Sequence, residues 1–178
     1  MATNKKQVGT YATAGVIIAV LMIAAIFASG ILPNQKMGTL RVSITDAPVE
    51  LKKLDVTING LYVNSKDSDS WTPLNFVDNK LEVNFDLLTL NNVIMDLSLQ
   101  QIPAGSYSKI RLDVVKAEAT FMDDTTAELK VPPGHIDIII SFEIKADQET
   151  SLLIDMQPDT VAISNSNNFK PIIKATVE

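Results

Sequence analysis

The sequence predicts an all-β domain, an antiparallel β-sandwich of Ig-like or transthyretin-like kind, preceded by a single N-terminal transmembrane helix. Three observations predict it. Gln7 to Gln35 contain no charged residue. From Met37 onward apolar and polar residues alternate, the period of a half-buried strand. About eight or nine such runs follow one another, with turns between them and no strand–helix–strand rhythm.

The apolar stretch centres on Val16, Ile17, Leu21, Ile23 and Phe27, which would face lipid. At roughly 1.5 Å per residue, about 20 to 25 of these residues cross a hydrocarbon core of about 30 Å. A cleavable signal peptide is the alternative, with Lys5-Lys6 as its basic region and Ala28-Ser29-Gly30 as a small-x-small cleavage pattern. The uncharged run exceeds the usual apolar signal core of about 7 to 15 residues and stops at Pro33, which favours a retained anchor. Lys5 and Lys6 precede it and only Lys36 follows, so the N-terminus is expected in the cytoplasm and the domain outside the cell membrane. The division is residues 1–36 for stub, helix and linker, and 37–178 for one extracytoplasmic domain.

Along the domain, Leu40, Val42 and Ile44 alternate with Arg41, Ser43 and Thr45, and Asp46-Ala-Pro48 ends that strand. Leu54, Val56 and Ile58 alternate next. Asn59-Gly60 then reads equally as a hairpin turn or as a bulge in one longer strand through Val63. Trp71 to Phe76 is expected at an edge, because Pro73 cannot donate to a central ladder. Leu81, Val83, Phe85 and Leu87 alternate, and a short helix is expected near Asn92–Leu99. Ile102 to Ser106 is a turn into a strand through Val114, and Asp123 to Thr126 is a hairpin turn. Ile138-Ile139-Ile140 suggests burial on both faces of the strand Ile136–Ile144. Runs at Leu152, Thr160 and Ile172 complete the series.

Composition excludes several functions. Setting aside Lys5, Lys6 and Lys36 leaves 12 basic residues against 21 acidic ones in the domain, a balance of −9. Nucleic acid and anionic bilayers need a basic face, so neither is a partner. There is no cysteine, which removes disulfides, thiolate nucleophiles and cysteine-linked lipid. One histidine, His135 after Pro-Pro-Gly, reads as a surface-loop residue, and zinc lacks ligands. Asp123/Asp124 and Asp155/Asp159 pair carboxylates, but turn chemistry explains the first pair and neither has calcium-loop spacing. The sequence therefore predicts no enzyme and no cofactor. Trp71, Tyr62 and Tyr107 would make a stacking platform for sugars, but with only 6% aromatic residues and Trp71 beside an edge, core or rim packing is the better reading of them.

Two passages together resemble a known family. Gly38-Thr-Leu-Arg-Val-Ser-Ile-Thr-Asp-Ala-Pro48 resembles a Gly-x-Leu-x-Val-x-x-Thr-Asp-Ala-Pro opening, and Ile102-Pro-Ala-Gly-Ser-Tyr-Ser-Lys-Ile-Arg-Leu112 an Ile-Pro-Ala-Gly-x-Tyr-x-x-Ile-Arg-Leu centre. Both are similar to a domain-of-unknown-function family of bacterial and archaeal envelope proteins. That resemblance implies an extracytoplasmic β-sandwich and brings no catalytic residue. Many bacterial members resemble lipoproteins, and the helix in place of a lipid-bearing cysteine points to an archaeal source.

Asp46, Trp71 and Arg111 are the candidate ligand contacts, each with a structural role beside it as turn cap, packed aromatic or ion-pair partner. The function expected is a membrane-anchored, non-enzymatic module contacting a protein partner or polymer at the cell envelope, as an accessory subunit of a membrane complex. The alternatives are a filament subunit assembling by strand donation, which leaves homo-oligomerisation open, and a carbohydrate-binding module.

Overall fold

A computed structural model describes residues 35–46, 50–159, 163 and 166–178. The expected membrane helix, with Val16, Ile17, Leu21, Ile23 and Phe27, lies outside the described residues, as do Thr160 to Ala162. Among the described residues no helix is long and apolar enough to cross a membrane. The chain divides into Met1–Gln35 and Lys36–Glu178, and the fold below is that of the second unit.

Among the described residues ten strands form two sheets: β1 (Met37–Asp46), β2 (Lys53–Ser65), β3 (Trp71–Pro73), β4 (Val83–Asp86), β5 (Met95–Pro103), β6 (Gly105–Thr120), β7 (Thr126–Glu128), β8 (His135–Ile144), β9 (Glu149–Gln157) and β10 (Ile172–Val177). The four-stranded sheet runs β10-β9-β1-β5. In the six-stranded sheet β2 and β6 are central, with β3 and β4 on the far side of β2 and β7 and β8 on the far side of β6. One apolar core joins the sheets, with Leu40, Val42, Ile44, Leu97 and Ile154 from the first meeting Leu54, Val56, Leu61, Ile110 and Leu112 from the second. The all-β, two-sheet expectation holds.

Among the described residues the antiparallel expectation holds for every pairing of named strands but one. β1 pairs antiparallel with β5 and parallel with β9. Alternation reports which face of a strand is buried and carries no information on strand direction. The turn between β8 and β9 passes from one sheet to the other, so β9 enters beside β1 rather than beside β8.

Asn59-Gly60 is no hairpin. β2 is one strand, and Asn59 is skipped in the register between Ile58↔Val114 and Gly60↔Asp113. The extra residue changes parity, so Leu54, Val56 and Ile58 face the core before it and Leu61 and Val63 after it. This leaves Gly60, Tyr62 and Asn64 on the opposite face. Without the bulge Tyr62 would lie in the core.

Three other expectations are corrected. The helix near Asn92–Leu99 is absent, because β5 begins at Met95; the helical turn is a 3-10 turn at Leu87–Leu90. There the Asp86 side chain accepts from the Leu88 N–H, and Leu87 and Leu90 are buried three residues apart. The alternation through Leu81 overreaches too, since Leu81 is 90% exposed and Leu87 belongs to that turn. Ile139 is 84% exposed, so β8 buries one face only. It lies outside β6 in the sheet, and the apolar run there reflects an edge strand with Ile138 inward, not burial on both sides.

Ile102 to Ser106 is a sheet-to-sheet corner. β5 and β6 lie in different sheets with Ala104 between them, and Gly105 takes φ +153°, which L side chains rarely adopt. The Tyr107 hydroxyl donates to the Pro103 carbonyl at 2.8 Å, and its ring stacks on Phe142 at 5.4 Å between centroids. The corner thereby fixes where β6 starts and which of its residues face outward.

Candidate functional site

The outer face of the six-stranded sheet is built from cross-strand rungs. Pro73, Tyr62, Arg111 and Asp137 are opposite one another on β3, β2, β6 and β8. Gly60, Asp113 and His135 form the next rung, and Trp71, Asn64, Lys109 and Ile139 the one on the other side. Residues two apart on one strand share a face, so the rungs present Trp71, Tyr62, Arg111, Asp113 and Asp137 together.

Arg111 is the hub. Its guanidinium lies over the Trp71 ring at 4.4 Å from the centroid, a cation–π contact. Nε and Nη2 donate to the two carboxylate oxygens of Asp137 at 2.6 and 2.8 Å, a bidentate pair. Those hydrogen bonds raise the Arg111 pKa and hold the Asp137 carboxyl below its ordinary value. The Tyr62 phenol is raised, first by the charge of Asp113, then by burial and by the hydrogen bond it makes to that carboxylate. His135 approaches Asp137 at 3.9 Å.

Gly60 makes the Tyr62–Asp113 contact feasible. A Cβ there would lie 2.7 Å from Asp113 Oδ2 and from Tyr62 Cε2, and 2.9 Å from the Tyr62 hydroxyl. The ring of Tyr62 thus crosses above Gly60 to reach the carboxylate. A hollow of about 290 Å³ opens between Tyr62, Trp71, Arg111 and Asp113. Tyr62 also borders a second hollow of about 190 Å³, whose walls include Asn59, Pro73, Asn75, Lys80 and Leu81.

Of the three candidate contacts, Trp71 and Arg111 meet here. Asp46 does not join them. It ends β1 in the other sheet, is 6% exposed and bridges to Asn91. Tyr107 is likewise no part of the platform, being buried against Phe142. His135 is the first residue of β8 rather than a loop residue. Asp113 and Asp137 are not among the residues the sequence singles out, and Gly60 stands out there only as a turn or bulge residue. The signal for Asp137 was a lone acid between Ile136 and Ile138, where a strand's solvent face would place it. Asp123 accepts from the Thr125 N–H and hydroxyl at 3.0 and 2.6 Å, as a turn residue should.

A second polar cluster lies on the outer face of the four-stranded sheet. Arg41 binds Asp96 and Glu149 at 2.6 and 2.8 Å, and Ser43 donates to Asp96 at 2.7 Å. Among the described residues none that lines the hollow beside it is aromatic. Among the described residues no group of three or more acidic or histidine side chains is placed to hold a metal ion.

The Arg111–Asp137 pair has a consequence in acid. Because the folded-state value of Asp137 is lowered, its stabilisation is complete above the ordinary carboxylate range, about pH 4, and is lost as pH falls through the lowered value. Asp137→Asn should therefore flatten the fall of urea stability below about pH 4. An unchanged slope would show that Arg111 does not hold this carboxylate. Asp123, lowered by Thr125, contributes in both proteins and is not removed by the substitution.

A family model, "Domain of unknown function (DUF4382)", matches residues 37–174. The chain belongs to this family. Its members' domain coincides with the two-sheet unit, and the family description assigns no activity. No curated protein shows significant similarity to the chain. Among solved structures, a leucine-rich repeat protein from Bacteroides thetaiotaomicron VPI-5482 aligns at 14% identity and a TM-score of 0.29. That alignment covers 66% of this DUF4382 chain and 13% of the other, and a score so low bears on neither fold nor function.

Proposed function

We propose that this DUF4382 protein is a membrane-anchored, extracytoplasmic binding module without catalytic activity, holding a polymer or protein partner of the cell envelope on the outer face of its six-stranded sheet. The observation that carries the reading is the convergence of Trp71, Tyr62, Arg111 and Asp113 around one hollow. An aromatic surface beside paired donors and acceptors is the composition of a recognition site. Arg111 is held in place by its bidentate pair with Asp137 and keeps further donors, which suits recognition better than proton transfer.

The uncharged run Gln7–Gln35 after Lys5-Lys6 supports the anchor and the outward orientation. The central place of β1, bonded to β5 on one side and β9 on the other, supports a sheet completed within one chain over a donated first strand.

Two measurements test the reading. Protease added to intact cells should digest residues 37–178, and the protein should stay with membranes through high-salt washing. Full-length protein in detergent micelles should be retained on washed envelope fragments, and the double variant Trp71→Ala, Arg111→Ala should not. A domain protected until lysis, or retention that the double variant leaves unchanged, would overturn it.

A further inference from the structure

The geometry points to a neutral polysaccharide as the ligand of this face, one sugar ring seated in the hollow beside Tyr62 and Trp71 with its hydroxyls on Arg111 and Asp113. The inference rests on the binding-module reading and narrows it to one chemistry. A pyranose ring combines apolar C–H faces with hydroxyls that each donate and accept. The hollow offers the complement. Trp71 and Tyr62 line it from β3 and β2, and Arg111 and Asp113 line it from β6, two residues apart on one face.

The hydrogen-bond inventory leaves capacity on both. Arginine has five N–H donors, of which Nε and one Nη2 hydrogen are used by Asp137. The Asp113 carboxylate lies beside the Tyr62 hydroxyl over Gly60 and has lone pairs to spare. Neighbouring ring hydroxyls need such an adjacent donor and acceptor. The volume of about 290 Å³ is at the lower end for small-ligand sites, right for one ring and too small for a helix.

Charge selects the neutral class. Asp113 and Asp137 match Arg111 and Lys109 on this face, so no surplus cation is left for an anionic ligand, in a domain already at −9. Sugar acids and phosphates would find no unpaired cation there and would approach against the net negative charge of the domain. The second hollow beyond Tyr62, with the amides of Asn59 and Asn75 and the Lys80 ammonium in its wall, continues the path for a chain longer than one residue. An extended peptide adding to a sheet needs a strand edge, whereas this hollow lies on side chains across the face.

The test uses full-length protein in detergent micelles and envelope fragments treated in two ways. Periodate cleaves the vicinal diols of sugars, and proteinase K removes protein. Periodate should abolish retention and proteinase K should leave it intact, a result that needs no variant. On untreated fragments Trp71→Ala should weaken retention at least about tenfold, and Tyr62→Phe, which keeps the ring, by a smaller factor. Retention lost to proteinase K overturns the polysaccharide and makes the partner a protein, leaving the binding module standing. Retention that survives both treatments overturns the polysaccharide too and makes the partner neither sugar nor protein, again leaving the binding module standing. No retention on any fragments overturns both.

Discussion

Ile110→Ala is expected to lower the stability of the domain by about 2 to 5 kcal/mol, the range for truncating a fully buried aliphatic side chain. Ile110 is 0% exposed at the middle of β6, with Val63 opposite on one side and Ile138 on the other. Both neighbours are held in ladders and cannot collapse into the space. The lost transfer energy and the residual cavity then add. At about 3 °C per kcal/mol for a domain of this size, the melting temperature of a chain trimmed to residues 36–178 should fall by roughly 6 to 15 °C. A loss below about 1 kcal/mol would mean that the two sheets do not close over Ile110.

The same residue shows what alternation reveals and what it hides. The run Ile110-Arg-Leu-Asp-Val114 announces a strand with Ile110, Leu112 and Val114 inward and Arg111 and Asp113 outward, and the structure agrees. Period-two patterning is a local consequence of one face meeting a core, so it survives in the sequence. Strand direction and sheet membership are not local. Nothing in Leu40–Ile44 or Leu152–Ile154 says that these strands run parallel as neighbours. Asn59-Gly60 was undecidable for a related reason. A turn and a bulge use the same residues there, and the choice depends on whether β6 is present to pair with both halves.

The site was half legible. Trp71 and Arg111 each stood out by residue type, yet forty positions separate them and only the order β3-β2-β6 brings the guanidinium over the indole. Asp137 becomes visible once β8 is placed beside β6, because the bidentate pair is a cross-strand contact. Asp46 misled for the opposite reason. An aspartate before Ala-Pro has the composition of an exposed turn, and here it ends a central strand and is buried. Ile139 likewise read as core because a triple isoleucine ignores the pleat; its exposure follows from the edge position of β8.

Gly38→Ala should be destabilising by about 1 to 3 kcal/mol, although a glycine in a strand ordinarily gains from acquiring a side chain. A Cβ at Gly38 would run into the Lys145 carbonyl and sit 2.7 Å from Ile144 Cγ2. The obstacle is mainly backbone, where the chain turns from β8 toward β9, and it cannot rotate away. Three hydrogen bonds tie this point down: Asp147 N–H to the Met37 carbonyl at 2.9 Å, Thr39 N–H to Gln148 at 2.8 Å and Ala104 N–H to Lys36 at 2.8 Å. The steric cost therefore outweighs a chain-entropy gain of about 0.4 to 1 kcal/mol. Gly60→Ala is the matched control. Its Cβ would meet the side-chain ends of Asp113 and Tyr62, which can swing aside. Gly38→Ala should thus lower the melting temperature and leave envelope binding of the folded fraction intact. Gly60→Ala should cost less stability and weaken binding, because displacing Tyr62 reshapes the hollow it shares with Trp71. Equal melting temperatures for the two variants would show that the Lys145 turn yields to β1, and that the opening glycine is there for some other reason.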